Sequence, residues 1–407
     1  MPGYSRFLSE RASLIQPSPL SSIISKINEI AKKGIKVISF AAGDPDPNVL
    51  PREELSKISQ EILHDIPSSV LYTPSIGLEE LREELSKFIS RYDFTVSSDE
   101  LILTGGSTVA IDLLARILVD SGDIVILENP SYINTLLAFR QLGADLIGVN
   151  IDENGMNVEE LEKTLKNLGE KLNRVKFIYT IPTCQNPAGV TMSLERRKNL
   201  LEIATKYDLL ILEDTAYNYL YFGEHTLPTL KSMDKEGRVI ATGTLSKIMG
   251  TGFRIGWLAA PNDLRKLIIA EKQQIEFCPP TISQYLAIEF LKRRIYERSI
   301  EKAKRVYQEK LRVMLGLLKD RISEARFIEP KGGMFIMLEL PNIDGEKFSN
   351  DLLENKAVAT IPAKKFHVQG GENRIRLNFS RPSIQEIEEG IMRFAEYYRN
   401  YEKRDGE

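Results

Sequence analysis

Short apolar runs alternate with amphipathic segments along the chain from about residue 51. The runs are bounded by Gly, Pro, Asn and Ser, which is typical of buried strands, whereas the segments between them carry apolar residues at helical spacing. The pattern predicts strands at residues 100–104, 123–127, 175–181, 209–212 and 238–242, and helices at 107–118, 133–142 and 193–207. Strands that alternate with helices indicate βαβ units, so we expect an α/β fold with a mostly parallel sheet.

The pattern changes on both sides of this region. Before it, residues 21–33 repeat apolar positions at helical spacing between two proline-containing breaks. After it, residues 264–319 are largely helical, with an interruption at Cys278-Pro279-Pro280. A terminal helix follows strands predicted at 335–340, 359–361 and 374–378. The predicted units are an N-terminal arm and helix at 1–50, a large domain at 51–285, and a connector helix with a small C-terminal α/β domain at 286–407.

Composition excludes several classes of protein. The 407 residues include 54 Lys and Arg against 57 Asp and Glu, so the chain lacks the broad basic field of a dedicated nucleic-acid binder. No apolar run approaches the roughly 18 residues of a membrane span, and the N-terminus lacks the apolar core of a signal peptide. Cys184 and Cys278 form no disulfide framework, and His64, His225 and His367 have no metal-ligand spacing. These features favour a cytoplasmic enzyme without a metal, a membrane or a nucleic acid as partner.

Residues that carry chemistry follow five of the predicted strands. Ligands of open α/β sheets bind beyond the carboxyl ends of the strands. The segments there are 104–108 (Thr-Gly-Gly-Ser-Thr), 128–132 (Glu-Asn-Pro-Ser-Tyr), 182–189 (Pro-Thr-Cys-Gln-Asn-Pro-Ala-Gly), 213–217 (Glu-Asp-Thr-Ala-Tyr) and 243–247 (Gly-Thr-Leu-Ser-Lys). They supply a phosphate cradle, an aromatic ring, an amide, a carboxylate with a phenol, and an amine. One anionic, aromatic and electrophilic cofactor would use all of these groups.

Each segment also has a purely structural interpretation. Ser107 can cap the helix after a Gly-Gly turn, and Asp214 can be a turn or cap residue. Tyr132 can be a packing residue, and Asn186 can belong to a turn before proline. In the functional interpretation, Ser107 and Thr108 hold a phosphate at a helix N-terminus. Asp214 then keeps a pyridine nitrogen protonated, which makes the ring an electron sink.

Lys247 is the sharpest candidate, although most lysines are solvated surface charges. It follows an apolar strand and precedes a weakly charged stretch at 248–257. In such surroundings an amine loses its proton readily and attacks a carbonyl to give a Schiff base. Arg254 would place a fork of donors on the same phosphate. The glycines of that stretch form G-x-G-x-x-x-G, one residue longer than the dinucleotide fingerprint, and no P-loop motif occurs in the chain.

The joint order of these motifs resembles the fold-type I pyridoxal-phosphate aminotransferases, in the class I branch that includes the aminoadipate and kynurenine aminotransferases. The similarity runs from about residue 7 to the end of the chain. Its segments are 72–78, 128–132, 185–191, 213–217, 244–247, 330–335 and 374–380. Each segment alone is a weak signal, whereas their order and spacing together are highly specific.

The resemblance implies a fold, a cofactor and a reaction. The fold is a large domain with a mostly parallel, seven-stranded sheet flanked by helices, plus a smaller α/β C-terminal domain. The cofactor is pyridoxal 5′-phosphate. The reaction is ping-pong transamination between an L-amino acid, of the 2-aminoadipate, aromatic or branched-chain type, and a 2-oxo acid such as 2-oxoglutarate. Another reaction of the same fold, C–S lysis or decarboxylation, stays open because cofactor motifs do not determine reaction type.

The family also assigns roles to residues around the cofactor. Lys247 would form the Schiff base and later move a proton between substrate and cofactor. Asp214 would pair with the pyridine nitrogen, while Asn186 and Tyr217 would hydrogen-bond the 3′ oxygen and Tyr132 would stack on the ring. The residues implied around the phosphate are Gly106, Ser107, Thr108, Thr244, Ser246 and Arg254.

Two further roles concern the substrate and the assembly. Arg376 would hold the α-carboxylate of the substrate, together with Asn186 and the backbone near Gly43. Tyr72 would reach the phosphate from the partner subunit of a homodimer, because the active sites of this family lie between two subunits.

The sequence departs from the family pattern at two places. Thr108 and Val109 stand where close relatives commonly have two glutamines, although a threonine hydroxyl still donates to a phosphate. Ser21 stands where aminoadipate-type relatives carry an arginine that reaches an acidic side chain. The arm therefore favours apolar or aromatic amino acids as donors, with glutamate and 2-oxoglutarate as the usual second pair.

Two interpretations other than an active enzyme are less consistent with the sequence. A transcription regulator with an aminotransferase-like module would need an N-terminal DNA-binding domain, for which the roughly 50 residues before the large domain are too few. A non-catalytic remnant is disfavoured because every expected cofactor position carries a competent residue.

Overall fold

The structure, a computed structural model, describes residues 4–17, 19–224 and 227–405. Its strands are β1 (Ile38–Ser39), β2 (Leu101–Thr104), β3 (Ile124–Asn129), β4 (Asp145–Asp152), β5 (Gly155–Met156), β6 (Val175–Thr180), β7 (Leu210–Asp214), β8 (Val239–Thr244), β9 (Gly256–Ala259), β10 (Phe335–Glu339), β11 (Val358–Ala359), β12 (Ile361–Pro362) and β13 (Arg374–Asn378). Its α-helices are α1 (Pro19–Lys32), α2 (Arg52–Asp65), α3 (Glu79–Tyr92), α4 (Ser107–Leu118), α5 (Ile133–Gln141), α6 (Val158–Leu168), α7 (Leu194–Lys206), α8 (Leu230–Met233), α9 (Asn262–Ile275), α10 (Thr281–Lys292), α11 (Ile295–Arg321), α12 (Gly345–Lys356) and α13 (Ile384–Asp405).

The central sheet has the order β2-β9-β8-β7-β6-β3-β4-β5. The neighbours from β8 to β4 pair in parallel, whereas β9 is antiparallel to both β2 and β8. The predicted α/β fold with a mostly parallel sheet is therefore confirmed. The sheet has one strand more than the seven that the resemblance implies. The eighth is β5, which has two residues and pairs antiparallel with the end of β4.

Helices cover both faces of the central sheet, which explains why its inner strands are continuous apolar runs. Every residue of β2, β3, β8 and β9 is buried. Cores on the two sides contain side chains from opposite faces of one strand: in β2, Ile102 belongs to one hydrophobic cluster, and Leu101 and Leu103 belong to another. Alternation of faces along a strand produces this division.

The structure corrects three details of the predicted elements. The strands predicted to end at 212 and 242 continue to Asp214 and Thr244, so these two polar residues lie within β7 and β8. Strands β4 and β9 were not predicted, because β4 begins and ends with Asp and β9 lies just after a glycine-rich stretch. The single strand predicted at 359–361 is divided at Thr360: β11 pairs with β1, and β12 pairs with β13.

The N-terminal arm packs against the C-terminal part of the chain. Strand β1 pairs in parallel with β11, so Ile38 lies opposite Val358. One face of α1 contacts a cluster that includes Ile361 and Phe366. The domain boundaries predicted at 50/51 and 285/286 stay a prediction; the second falls inside α10. Within the described ranges, no helix is long and apolar enough to cross a bilayer.

A buried ion pair joins the connector helix α11 to the arm. The Lys310 ammonium donates to Oδ2 of Asp46 at 2.6 Å and to the carbonyl oxygen of Ser380 at 2.8 Å. The two charged side chains are only 5% and 10% exposed. Ser380 in turn donates from its hydroxyl to the carbonyl oxygen of Asp44 at 3.0 Å. The ammonium therefore connects three distant segments: α11, the arm before α2, and the turn after β13.

We expect Lys310→Met to lower the free energy of unfolding by about 3–5 kcal/mol, because it leaves the Asp46 carboxylate buried without its cation. Chemical denaturation of the wild type and the variant would measure the loss. Lys319→Met on the same helix is the matched control, since Lys319 pairs with Glu329 where both side chains are more than half exposed. That variant should lose at most about 1 kcal/mol.

A second variant separates the unpaired charge from lost packing. Adding Asp46→Asn to Lys310→Met removes the buried carboxylate charge, so part of the stability should return. Equal losses in Lys310→Met and Lys319→Met would contradict the importance of this ion pair.

Candidate active site

Two adjoining cavities lie at the carboxyl edge of the central sheet. The first has a volume of about 380 Å³ and is lined by Ser107, Thr108, Val109, Tyr132, Asn134, Ile181, Asp214, Ala216, Tyr217, Thr244, Ser246, Lys247, Thr251 and Arg254. The second has a volume of about 170 Å³ and is lined by Leu20, Ile24, Ala42, Gly43, Asp44, Tyr132, Ile133, Asn134, Asn186, Tyr217, Lys247, Phe335, Ile361, Phe366 and Arg376. Tyr132, Asn134, Tyr217 and Lys247 line both. The structure thus brings together residues from every segment that follows a predicted strand.

One end of the larger cavity is built for an anion. Gly106 has a φ of 102° and is the residue before α4, so the backbone turns there in a conformation that favours glycine. A Cβ at this position would lie 2.4 Å from Nη2 of Arg254. Ser107 and Thr108 line the cavity from the first turn of α4, where backbone N–H groups have no helical partner. The sequence interpretation of Ser107 as the capping residue is wrong: Gly106 is at that position, and no side chain caps the helix.

Arg254, Thr244 and Ser246 complete this end. Arg254 has a left-handed backbone with φ of 56°, and its guanidinium donates to the carbonyl oxygens of Gly105 at 2.8 Å and Thr251 at 3.1 Å. The hydroxyls of Thr244 and Ser246 are 2.8 Å apart. A fixed cation, hydroxyls and free backbone donors at a helix N-terminus form an environment that suits a phosphate group.

A buried carboxylate lies on the wall of the larger cavity, at the end of β7. Asp214 accepts from the Tyr179 hydroxyl at 3.1 Å and from the Ala216 backbone N–H at 3.0 Å. Burial raises the pKa of this carboxyl to about 6, although both hydrogen bonds and the nearby Lys247 favour its charged form. The Ala216 contact shows that Asp214 is a turn residue, as its structural interpretation predicts. Ala216 donates to Oδ1 of the carboxylate, whereas Tyr179 donates to Oδ2.

Lys247 lies at the boundary between the two cavities. Its Nζ donates to the carbonyl oxygen of Gly43 at 3.3 Å and lies 5.7 Å from the ring centre of Tyr217. Burial lowers the pKa of this amine to about 8, and the positive charges of Arg254 and Arg376 contribute in the same direction. About a tenth of the amine is therefore uncharged at pH 7, far more than for an ordinary lysine, and a nucleophile or a general base requires this form.

Asn186 lines the smaller cavity and connects Arg376 to Tyr217, which lines both cavities. Its Nδ2 donates to the Tyr217 hydroxyl at 3.1 Å, and its Oδ1 accepts from Nη1 of Arg376 at 3.2 Å. Burial raises the pKa of Tyr217, so this phenol stays protonated. The two residues that the family resemblance implies at the 3′ oxygen are thus in direct contact.

Arg376 provides the cation of the smaller cavity. Its Nη2 donates to the carbonyl oxygen of Ala41 at 2.6 Å, and its Nε is buried without a hydrogen-bond partner. The guanidinium carbon lies 4.3 Å from the ring centre of Phe335 and 5.1 Å from that of Phe366. Burial lowers the pKa of Arg376 to about 10, and the group still carries its charge at neutral pH. A buried cation with an unsatisfied donor at a cavity favours an anionic ligand such as a carboxylate.

These observations test whether the residues suit pyridoxal phosphate, and they do. The anion-binding end suits the phosphate, the aromatic ring of Tyr132 lines the same cavity, and the carboxylate of Asp214 suits a protonated ring nitrogen. The amine of Lys247 lies between these groups and Arg376. The individual roles given by the resemblance stay predictions.

Gly106 does not itself line either cavity, and Tyr72 lies outside both. The Tyr72 side chain is 86% exposed, and its ring is edge-on to Phe277 at 5.2 Å between centres. Its predicted place at the phosphate requires a second subunit. Gly43 lines the smaller cavity, and its carbonyl oxygen accepts from Nζ of Lys247.

Sequence reasoning missed several residues of the site. The apolar wall of the smaller cavity includes Leu20 and Ile24 from α1, although attention fell on the exposed Ser21 between them. Tyr179 was missed because it lies inside an apolar strand, where a tyrosine resembles any other packing residue. Nothing in its local pattern distinguishes it; only its long-range contact with Asp214 does.

Among the described residues, no group of three His, Cys, Asp or Glu side chains is arranged to hold a metal ion. The absence of a metal stays a prediction. His225 lies outside the described residues.

Comparison with known proteins relates this geometry to a family. The model of the aminotransferases of class I and II matches residues 35–394. An aromatic-amino-acid aminotransferase of Thermococcus litoralis is 37% identical over 398 residues, which cover 97% of this chain and 94% of the relative.

Two solved structures extend the comparison to the fold. An archaeal alanine:glyoxylate aminotransferase has 51% identity and a TM-score of 0.95, with 98% of this chain and 99% of that chain covered. The alpha-aminoadipate aminotransferase of Thermus thermophilus, solved with N-(5′-phosphopyridoxyl)-L-leucine, has 33% identity and a TM-score of 0.88, with 98% of each chain covered. The fold-type I class that the motif order implies is therefore confirmed.

We expect Lys247 to react with an acylating reagent in the ligand-free protein with a pH midpoint of about 8, because burial disfavours its charged form. Competitive labelling followed by peptide mass spectrometry gives the uncharged fraction of each lysine at each pH. Lys206 is the internal control, since its ion pair with Glu162 raises its pKa and keeps it charged over the same range. If the two lysines titrated together, the depressed pKa of Lys247 would be wrong.

Proposed function

Because the chain belongs to the aminotransferases of class I and II, we propose that it transfers an amino group from an L-amino acid with an apolar or aromatic side chain to a 2-oxo acid such as 2-oxoglutarate. The chain is an aminotransferase and its cofactor is pyridoxal phosphate. This activity is supported over the C–S lyase and decarboxylase alternatives. The substrate class is the part that the proposal adds.

The proposal depends above all on the position of Arg376 opposite an apolar wall. The guanidinium and Lys247 both line the smaller cavity, so a carboxylate held by the first leaves the attached carbon near the amine. Leu20, Ile24 and Ile361 line part of that cavity and carry no charge, and Asp44, which also lines it, could not pair with an acidic side chain. An apolar amino acid side chain would bury its surface here without leaving a charge unpaired.

The known relatives support a broad apolar specificity. The Thermococcus litoralis enzyme is named for aromatic amino acids, and the archaeal enzyme is named for alanine and glyoxylate. The Thermus thermophilus aminoadipate enzyme was solved with a leucine adduct. Aromatic, branched-chain and small apolar donors are therefore all candidates, and 2-aminoadipate is the acidic member against which to compare them.

The residues of the site divide the work of the reaction. Bound pyridoxal phosphate supplies a protonated ring that takes up the electron pair left when the substrate Cα loses its proton. Arg376 holds the substrate carboxylate and so turns the Cα–H bond toward Lys247. Lys247, uncharged in a useful fraction because it is buried, takes that proton and returns it at the next step. Asp214 keeps the ring nitrogen charged, and Asn186 with Tyr217 fixes the orientation of the ring.

A homodimer and a cytoplasmic location complete the proposal. Val70, Leu71 and Tyr72 are three consecutive large apolar residues that are exposed in the single chain, which suits burial against a second subunit. In that arrangement Tyr72 reaches the phosphate of the partner subunit. Cys184 and Cys278 are both free thiols, as in most proteins of reducing compartments.

Arg376→Ala should raise the KM for the amino acid by on the order of 100-fold, because a buried charge-assisted contact with the carboxylate is lost. Bound cofactor, measured by its visible absorbance, should stay near the wild-type amount. Arg374→Ala is the matched control: it lies two residues earlier on β13 but pairs with Glu339 and does not line either cavity. The KM of Arg374→Ala should change by less than about threefold. An equal rise in KM in both variants, or loss of cofactor in Arg376→Ala alone, would show that Arg376 does not bind the substrate.

A donor panel with 2-oxoglutarate and glyoxylate as acceptors tests the substrate class. We expect kcat/KM for phenylalanine, leucine or alanine to exceed that for 2-aminoadipate by about tenfold or more, since an acidic side chain would lie unpaired in an apolar cavity. Release of 2-oxo acid without any acceptor would instead favour a lyase or decarboxylase.

Substitutions on α1 locate the determinant of this preference. Ile24→Arg should raise the 2-aminoadipate to leucine ratio of kcat/KM about tenfold, because Ile24 lines the cavity. Ser21→Arg places the same charge on the exposed neighbour that does not line it, and should leave the ratio nearly unchanged. The opposite order would mean that the arm contacts the substrate through Ser21.

A further inference from the structure

The Asp214 carboxylate is held by two donors, one on each oxygen. The Ala216 backbone N–H donates to Oδ1 at 3.0 Å, and the Tyr179 hydroxyl donates to Oδ2 at 3.1 Å. Both Asp214 and Tyr179 are buried, and they lie on the adjacent parallel strands β7 and β6. One donor comes from the backbone of the same turn, so Tyr179 is the side chain that orients this carboxylate.

Tyr179 is itself fixed by a second hydroxyl. Thr135 on α5 donates to the Tyr179 oxygen at 3.4 Å, and Thr135 is buried as well. Because the tyrosine oxygen accepts from Thr135, its own single proton is available for Asp214. Helix α5 begins directly after Tyr132, which lines the cavity from the other side. The pair therefore connects Asp214 to the element that carries the predicted ring-stacking residue.

We propose that Tyr179 is a positioning residue that keeps Asp214 ionised and directed at the ring nitrogen of pyridoxal phosphate, and that Thr135 supports it. This inference rests on the proposed function, because it concerns the same cofactor site. Tyr179 does not line either cavity and so acts only through Asp214.

The charges around Asp214 explain why such a donor is needed. Burial raises the pKa of Glu128 on β3 to about 7, and its ionised form repels the Asp214 charge, whereas Lys247 attracts it. Tyr217, the other titratable group near it, is protonated and carries no charge. Burial itself disfavours the carboxylate. The hydrogen bond from the Tyr179 hydroxyl offsets part of this cost by stabilising the charged carboxylate. The proton between Asp214 and the ring nitrogen therefore stays on the nitrogen, and the ring keeps its positive charge.

The experiment compares Tyr179→Phe with a matched control in the holoenzyme. The control is Tyr219→Phe: Tyr219 is also buried, and its hydroxyl donates to a partly buried carboxylate, Asp93, at 2.9 Å, outside both cavities. Each variant loses one buried hydroxyl that is bonded to an aspartate, so a general effect of that loss is common to both. Cofactor labelled with ¹⁵N at the ring nitrogen reports the protonation state of that atom by NMR.

In Tyr179→Phe the ¹⁵N signal should move toward that of a neutral pyridine, and kcat should fall about tenfold with KM changed less than threefold. The pH midpoint of the cofactor's visible absorbance should rise, because a less positive ring better tolerates the positive charge of a proton on the Lys247 nitrogen. Tyr219→Phe should leave all three measurements at the wild-type values. Thr135→Val should move the ¹⁵N signal in the same direction by a smaller amount, which also tests the inference if Tyr179→Phe fails to fold.

Three outcomes would overturn the inference. The first is an unchanged ¹⁵N signal in a folded Tyr179→Phe holoenzyme, even if kcat falls. The second is an equal shift in Tyr219→Phe, and the third is an unchanged signal in Thr135→Val when Tyr179→Phe does not fold. A wild-type protein that binds no labelled cofactor would instead overturn the proposed function, and the inference with it, so the two failures are distinguishable.

Discussion

The alignment of parallel strands at one edge of the central sheet is the constraint on which the site depends. Strands β3, β6, β7 and β8 pair in parallel, so their carboxyl ends lie side by side. The loops after these strands carry Tyr132, Asn186 and Lys247, and β7 itself ends at Asp214. Residues that are distant in sequence therefore meet at the two adjoining cavities. Asn186, Asp214 and Arg376 are buried at that edge, and the reactivity of the site follows from this burial.

Burial gives the site its reactivity because it disfavours the charged forms of the side chains there. The same desolvation lowers the pKa of Lys247 to about 8 and raises that of Asp214 to about 6. The amine is brought toward its nucleophilic form, while the carboxylate depends on donors such as Tyr179 to stay charged. Desolvation thus shifts the protonation equilibria of both groups: it favours the uncharged base at Lys247, and it makes the anion at Asp214 dependent on its hydrogen bonds. A ligand that brings its own charges would complete both pairings.

The elements that the sequence predicts well are those with strong local patterns. Helix α4 and strand β13 have the predicted bounds, because their apolar periodicity and their flanking residues agree. The residues after the strands were found for the same reason: a polar residue at the end of an apolar run is conspicuous. The split of residues 359–361 between two sheets was not predictable, since it depends on which distant strand lies beside each half. Tyr179, Leu20 and Ile24 were missed because their roles arise only from long-range contacts.

The N-terminal arm contacts two basic side chains of the site, Arg376 and Lys247, and also the ion pair that stabilises the fold. Arg376 donates to the carbonyl oxygen of Ala41 and Lys247 to that of Gly43, while Lys310 holds Asp46 a few residues further on. Neutral carbonyl oxygens are weaker partners for a buried cation than a carboxylate is. A substrate carboxylate therefore competes favourably for Arg376, and the arm has a structural anchor at Asp46 that does not depend on that contact. The segment 41–46 can lose a contact to the substrate at one end and keep its position, because the buried ion pair at the other end stays intact.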